Sequence, residues 1–187
     1  MRCFDNTAGG IAQSWVLFSV LIFVFSLAVF IVWQGDRGRR VYTIPVQQKA
    51  QLCSMDAAIE LFNSEFDAYP PSDANDPIGQ PYCGAMKVAE ALMGQDLLGF
   101  HSNSAFRADG LDPNTHMSLY PGEPSAENLK ARRGPYLSAG NANAFRLVDI
   151  YGKGNTGPLP ENAVVLCDVY ERVRPSGKQT GMPILLL

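Results

Sequence analysis

Histidine is scarce. His101 and His116 are the only two in 187 residues. Neither belongs to a recognised nucleophile elbow or triad motif, so both are assigned surface or loop roles and catalysis is not expected of them. Cysteine is sparse as well. Cys3, Cys53, Cys83 and Cys167 form no CxxC pair and have no histidine at metal-ligand spacing, which argues against a zinc site. If the polar part of the chain is exported, Cys53 and Cys83 are candidates for a disulfide. An excess of positive charge is missing. Lysine and arginine number 15 against 18 acidic residues, a net charge of −3, so nothing electrostatic points to nucleic acid. A phosphate-binding loop is absent too. GKGNTG, Gly152 to Gly157, lacks the Lys-Ser/Thr ending and runs into Pro158 rather than a helix.

What the sequence does have is Trp15 to Trp33, WVLFSVLIFVFSLAVFIVW, without charge, glycine or proline. As a helix it is about 28 Å long, close to the roughly 30 Å of a bilayer core. A lipid-exposed backbone must bond to itself, so the segment is expected to be helical. Ser19 and Ser26 can each bond a carbonyl one turn back. Trp15 and Trp33 bracket the run as interfacial aromatics do, and Phe23 and Phe25 lie near its middle. The run exceeds a signal-peptide h-region and no small-residue cleavage site follows it, so a retained anchor in a single-pass membrane protein is expected. Topology is left open by charge. Arg37, Arg39, Arg40 and Lys49 follow the run while only Arg2 precedes it, which by itself favours a cytoplasmic C-terminal side.

The rest divides by composition. Residues 1–14 form a short leader or tail, with Gly9-Gly10 as its one notable feature. Residues 34–69 combine a polar junction, broken at Gly35 and Gly38, with a new helix opening at Pro45. In that helix Leu52, Met55, Ile59, Phe62, Phe66 and Tyr69 recur at spacings of three and four, an amphipathic stripe ended by Pro70-Pro71. Its expected role is to face a core, which places a soluble domain over residues 70–187. Within that domain, Ser72–Tyr82 reads as loop. Ala85 to about Leu98 reads as a second helix with Met86, Ala89, Met93 and Leu97 inward. Ser125 is placed to cap a turn through Lys130. Phe145–Tyr151 reads as strand-like. Ala163–Val173 is the best strand, with Val164 and Leu166 on one face and Val165, Cys167 and Val169 on the other. Arg174–Thr180 is a hairpin connection, Gly177 supplying positive φ, and Gly181–Leu187 returns as a strand. Its terminal leucines imply cover by a partner or a chain shortened relative to its relatives.

Two oxygen-rich stretches invite a calcium test. Asp109, Asp112 and Asn114 are one, and Asp73, Asn75 and Asp76 the other. Neither has EF-hand spacing, and such residues are ordinary in turns. Arg132-Arg133 reads as a solvated basic pair.

A long N-terminal helix, apolar then amphipathic, followed by a loop, a small helix and antiparallel strands, resembles the plan of type IV pilins and type II secretion pseudopilins. Ala57–Ser72, AAIELFNSEFDAYPPS, is similar to the end of the long helix in major pseudopilins. Ala85–Gly110 and the segment VLCDVYERV…GMPIL look like pieces of pilin-like proteins of the planctomycete type. The resemblance implies an α+β fold: a long N-terminal helix packed on a small antiparallel sheet, with a short extra helix and long loops. It also implies a non-enzymatic filament subunit with its head on the outer side of the cytoplasmic membrane. Its implied partners are membrane lipid, copies of itself or related subunits, and assembly machinery. Calcium is implied only as major pseudopilins commonly hold it, and methylation only as far as processing occurs. Gly10 is the implied processing site. It is followed by Ile11-Ala12-Gln13-Ser14-Trp15, so Trp15 stands where the family has glutamate. Two readings fit that departure: a divergent minor pseudopilin, or a pilin-like head on an unprocessed anchor. Outside the family, a single-span anchored enzyme or binding module is the alternative, and a deep cleft of converging polar groups would favour it.

Overall fold

A computed structural model describes the backbone of residues 8–185 and the side chains of residues 20–30 and 43–185. The fold is mixed: helices with small antiparallel strand pairs, broadly α+β. Its elements are α1 (Ala8–Phe66), α2 (Gly84–Met93), β1 (Phe100–His101), α3 (Ala126–Lys130), β2 (Arg132–Arg133), α4 (Ala139–Ala142), β3 (Ala144–Arg146), α5 (Leu147–Tyr151), β4 (Val164–Leu166), β5 (Arg172–Val173) and β6 (Gln179–Thr180). The chain divides into two compact units, Met1–Pro45 and Val46–Leu187.

In the first unit, side chains 20–30 are all exposed. Ser26 Oγ donates to the Phe23 carbonyl at 2.9 Å, as its spacing predicts. Among the described residues, no helix is long and apolar enough to cross a membrane. The side chains of Trp15 and Trp33, the two ends of the expected span, lie outside the described residues. The exposed apolar part that is described, 20–30, is about 16 Å long, roughly half a bilayer core. Gly35, Gly38 and Pro45 fall inside the bounds of α1, so the expected break and fresh helix start are not found. A proline at that point forfeits one main-chain hydrogen bond at about 3 kcal/mol, and the division between the units falls there.

In the second unit, residues 46–66 of α1 form one wall of the core. Gln51, Met55, Ala58 and Phe62 are buried, at spacings of four, three and four, and Ile59 and Phe66 pack partly buried beside them. The expected stripe is therefore rotated. Leu52 is 45% exposed. Its place is taken by Gln51, whose Nε2 donates to the Cys167 carbonyl at 2.8 Å. One turn earlier, Gln48 Oε1 accepts from Val169 N–H at 3.0 Å. Where the helix meets polar backbone rather than side chains, an amide fits and a leucine does not. The other end also differs. The helix stops at Phe66 because Asp67 turns to positive φ, and Tyr69 lies beyond it, 57% exposed.

Helix α2 is buried along its whole length. It ends earlier than expected, at Gly94, where φ is +79° and an added Cβ would sit 2.2 Å from the Gly99 carbonyl oxygen. Leu97 consequently lies past the helix, at positive φ and on the surface, while Met86, Ala89 and Met93 are buried as read. Ser125 caps α3 by accepting from Asn128 N–H.

The single small sheet expected is replaced by three two-stranded antiparallel pairs, β1–β2, β3–β4 and β5–β6. The long strand expected at 163–173 is split in two: Val164–Leu166 pairs with β3 as Ala144↔Leu166, Phe145↔Val165 and Arg146↔Val164, and Arg172–Val173 pairs separately with β6. The other side of β4 is met by a bridge at Cys167↔Pro183, all that forms of the expected returning strand; Leu186 and Leu187 lie outside the described residues. The alternation along β4 is as the sequence implies. Val164 and Leu166 join the core that holds Met55, Phe62 and α2; Val165 and Cys167 join a second core with Tyr82, Met86, Leu147 and Ile150. The segment 145–151 is strand only to Arg146. Leu147 and Ile150, three apart, both need that second core, and one helical turn provides it. Hairpin β5–β6 closes with Gly177 at φ +81°.

Phe62→Ala in the full chain is expected to lower unfolding free energy by about 3–5 kcal/mol. Leu52→Ala, on the exposed side, is expected to cost about 1 kcal/mol or less. Urea unfolding of the two variants distinguishes the observed inner face from the stripe read off the sequence.

Candidate functional site

The apolar candidates separate into two groups. Phe23 and Phe25 are 67% and 71% exposed, with no covering side chain among the described residues. The stripe residues Met55, Ile59, Phe62 and Phe66 are instead taken up by the core and are not free to dock a partner. Gly10 lies within the bounds of α1.

The calcium candidates do not make a cation site. Asp109 accepts from Arg107 Nε and from Leu111 N–H, both at 3.0 Å. Burial pushes its pKa up, but the Arg107 guanidinium and the N–H donors outweigh that and hold the carboxyl below its usual range. Asp112 is lowered too, by the Thr115 and Asn114 N–H groups and the Asn103 amide that donate to it. Asn114 contributes its backbone to that turn. Asp76 likewise accepts from Ile78, Gln80 and Ala108 N–H, and Asp73 pairs with Lys87 at 3.1 Å. These oxygens are spent on turns, and among the described residues no group of three or more metal-ligating side chains converges.

His101 Nδ1 accepts from Asn103 N–H at 3.2 Å, and burial, then Arg132, lowers its pKa. His116 is exposed in a turn at positive φ. Cys53, Cys83 and Cys167 are free thiols, so the Cys53–Cys83 disulfide is not formed. Burial pushes Cys167 up to about 12, which leaves it protonated and inert at neutral pH.

The polar centre of the second unit lies elsewhere. Lys87 and Glu90 sit one turn apart in the apolar helix GAMKVAEALM, each about 1% exposed. Lys87 Nζ donates to the Asn75 carbonyl at 2.8 Å and pairs with Asp73, tying the 72–82 loop to α2. Glu90 has no cation beside it. Its Oε1 accepts from Ser104 Oγ at 2.5 Å and Tyr120 OH at 3.0 Å; its Oε2 accepts from Tyr82 OH at 2.7 Å and Gln95 Nε2 at 3.2 Å. Burial raises the Glu90 pKa, and those four donors offset it only in part. Tyr82 and Tyr120 are both pushed well up, first by burial and then by the Glu90 charge. Arg132, read as solvated, is 6% exposed. Its Nη1 bonds both Asp96 oxygens at 2.6 Å, and its guanidinium lies 5.2 Å from the Tyr120 ring centre. Arg133 pairs with Glu65 at 2.8 Å. Two hollows adjoin this cluster, of about 190 and about 410 Å³, sharing Gln95, Asp96, Asn162 and Val164 in their linings. Sequence reasoning missed the cluster. The available signal was two opposite charges at i and i+3 in an otherwise apolar ten-residue helix.

No protein-family model matches the chain, and no curated protein or solved structure matches it either.

Because the folded state holds the Glu90 proton more tightly than the unfolded chain, this group adds most stability below its ordinary value of 4.5. That contribution is lost as pH rises through the raised folded value. The stability of the native chain minus that of Glu90→Gln is therefore expected to fall as pH increases from about 4.5 and then to level off. Asp109 and Asp112 act in the opposite sense but cancel in this difference. Urea unfolding of both proteins across pH checks it, and a flat difference refutes it.

Proposed function

We propose that the chain is a membrane-anchored filament subunit of the type IV pilin or type II pseudopilin kind. The observation that carries this reading is the division of labour along α1. Residues 46–66 are a wall of an α+β head, while every side chain from 20 to 30 is exposed, Leu21 and Phe25 by 71%. Leaving such a surface in water is unfavourable by about 25 cal/mol per Å². Lipid covers it while the subunit is stored, and copies of the same helix cover it after assembly. In this scheme Trp15 and Trp33 mark the ends of the single span, and Gly10 is the point of processing. Ser26 and Ala28 offer small side chains for helix packing. The head lies on the outer side of the cytoplasmic membrane, and the assembly machinery of the cell supplies the work of extraction from lipid.

A second reading, a single-span anchored binding module, is favoured by one specific observation: the cleft beside Glu90. The two readings share the anchor and differ in what the head does.

Phe23→Lys or Phe25→Lys is expected to release the protein from the membrane fraction and to abolish co-purification of two differently tagged copies. Fractionation and pull-down from cells expressing both tags measure the two effects. Normal membrane retention of either variant sinks the anchor, and retention without co-purification of the native copies sinks the filament but keeps the anchored module.

A further inference from the structure

The cleft in the second unit is stepped. Its inner hollow, about 190 Å³, is lined by Tyr82, Glu90 and Tyr120; its outer hollow, about 410 Å³, by Phe145, Arg146 and Asp149. Gln95, Asp96, Asn162 and Val164 line both. The outer hollow alone is within the range of small-molecule sites, about 300–1,000 Å³.

Both carboxylates of the outer hollow are already paired. Asp96 is paired with Arg132 at 2.6 Å, and Asp149 with Lys178 at 2.5 Å. A cationic ligand therefore finds no free negative charge in the outer hollow, and it meets the Arg146 guanidinium. An anionic ligand is drawn to Arg146, but it meets the Asp96 carboxylate and the unbonded Asp149 Oδ2 in the same hollow. Glu90 does not compensate, because four donors already fill its oxygens. Its part is to fix Tyr82, Tyr120 and Gln95 in place. What remains unused is neutral or directional. The Arg146 and Asn162 side chains line the hollow without a hydrogen-bond or ion-pair partner among the described residues. Asp149 Oδ2 is likewise free to accept, since Lys178 binds the other oxygen. Planar groups that donate or accept in pairs match adjacent hydroxyls, and Phe145 with Val164 gives an apolar surface for the C–H face of a ring.

We propose that this cleft binds a neutral polyhydroxylated ligand of one or two sugar rings, held by Arg146, Asn162 and Asp149. The site goes beyond the filament reading and does not depend on it. A subunit that binds sugar is compatible with assembly, and one that does not assemble can still bind.

Isothermal titration calorimetry of the full chain in detergent tests it. The probes are glucose, N-acetylglucosamine, maltose and cellobiose, with putrescine and inorganic phosphate as charged controls. At least one sugar is expected to bind and neither control to bind. Arg146→Ala and Asn162→Ala are each expected to weaken sugar binding about tenfold, the loss of one good hydrogen bond. Both residues are exposed and without partners, so their unfolding midpoints should match the native chain. No binding of any of the four sugars overturns the proposal. So does tighter binding of putrescine or phosphate, or sugar binding that survives both substitutions.

Discussion

The second unit depends on the burial of Phe62. Its ring centre lies 4.7 Å from that of Phe66, 5.1 Å from Phe100, 6.0 Å from Tyr136 and 6.4 Å from Phe106. These rings come from α1, from β1 and from the segments that follow β1 and β2. Three of the four contacts are edge-to-face, the arrangement aromatic quadrupoles prefer. The strands cannot do this job. Each is two or three residues long, so each ladder contributes only a few hydrogen bonds, and two-stranded pairs are marginal in water. Aromatic packing brings the strand pairs to a common helix, and the strands then complete the local hydrogen bonding.

Strand β4 divides that packing into two compartments. Its alternate side chains face the Phe62 core on one side and the Tyr82–Ile150 core on the other. Helix α2 serves both, with Val88, Ala89 and Leu92 in the first and Ala85 and Met86 in the second. An element shared in this way has no solvent face, which is why α2 is buried throughout and why its two charges have to find partners inside the protein. Lys87 finds loop carbonyls. Glu90 finds hydroxyls and an amide, and the same polar centre leaves room beside it for the cleft.

Much of this was legible in the sequence, and the failures have physical causes. The alternation of Val164 to Cys167 was readable because a buried strand has a strict period of two. The existence of the helix over 46–66 was readable from its apolar spacing. Its inner face was readable in part: Met55, Ile59, Phe62 and Phe66 pack into the core, but Gln51 stands in the place of Leu52, and no hydropathy pattern marks a glutamine as inward. The helical turn at Leu147–Tyr151 was hidden because five residues are too few to separate a period of two from a period near four. The oxygen-rich turns at 73–76 and 109–114 look alike for a cation or for backbone capping, and only geometry tells them apart. The Glu90 cluster draws on residues 82, 90, 95, 104 and 120, a separation across which sequence proximity says nothing.

The two glutamines on α1 have a mechanical consequence. Apolar packing along a helix tolerates sliding by a heptad, because one ridge of methyl and phenyl groups resembles the next. Gln48 with Val169 N–H and Gln51 with the Cys167 carbonyl do not, since each bond exists at a single axial offset. A pull directed along this stretch of helix loads both bonds in shear together with the Phe62 core. Tension applied to residues 46–66 is thus passed to the body of the domain without slippage.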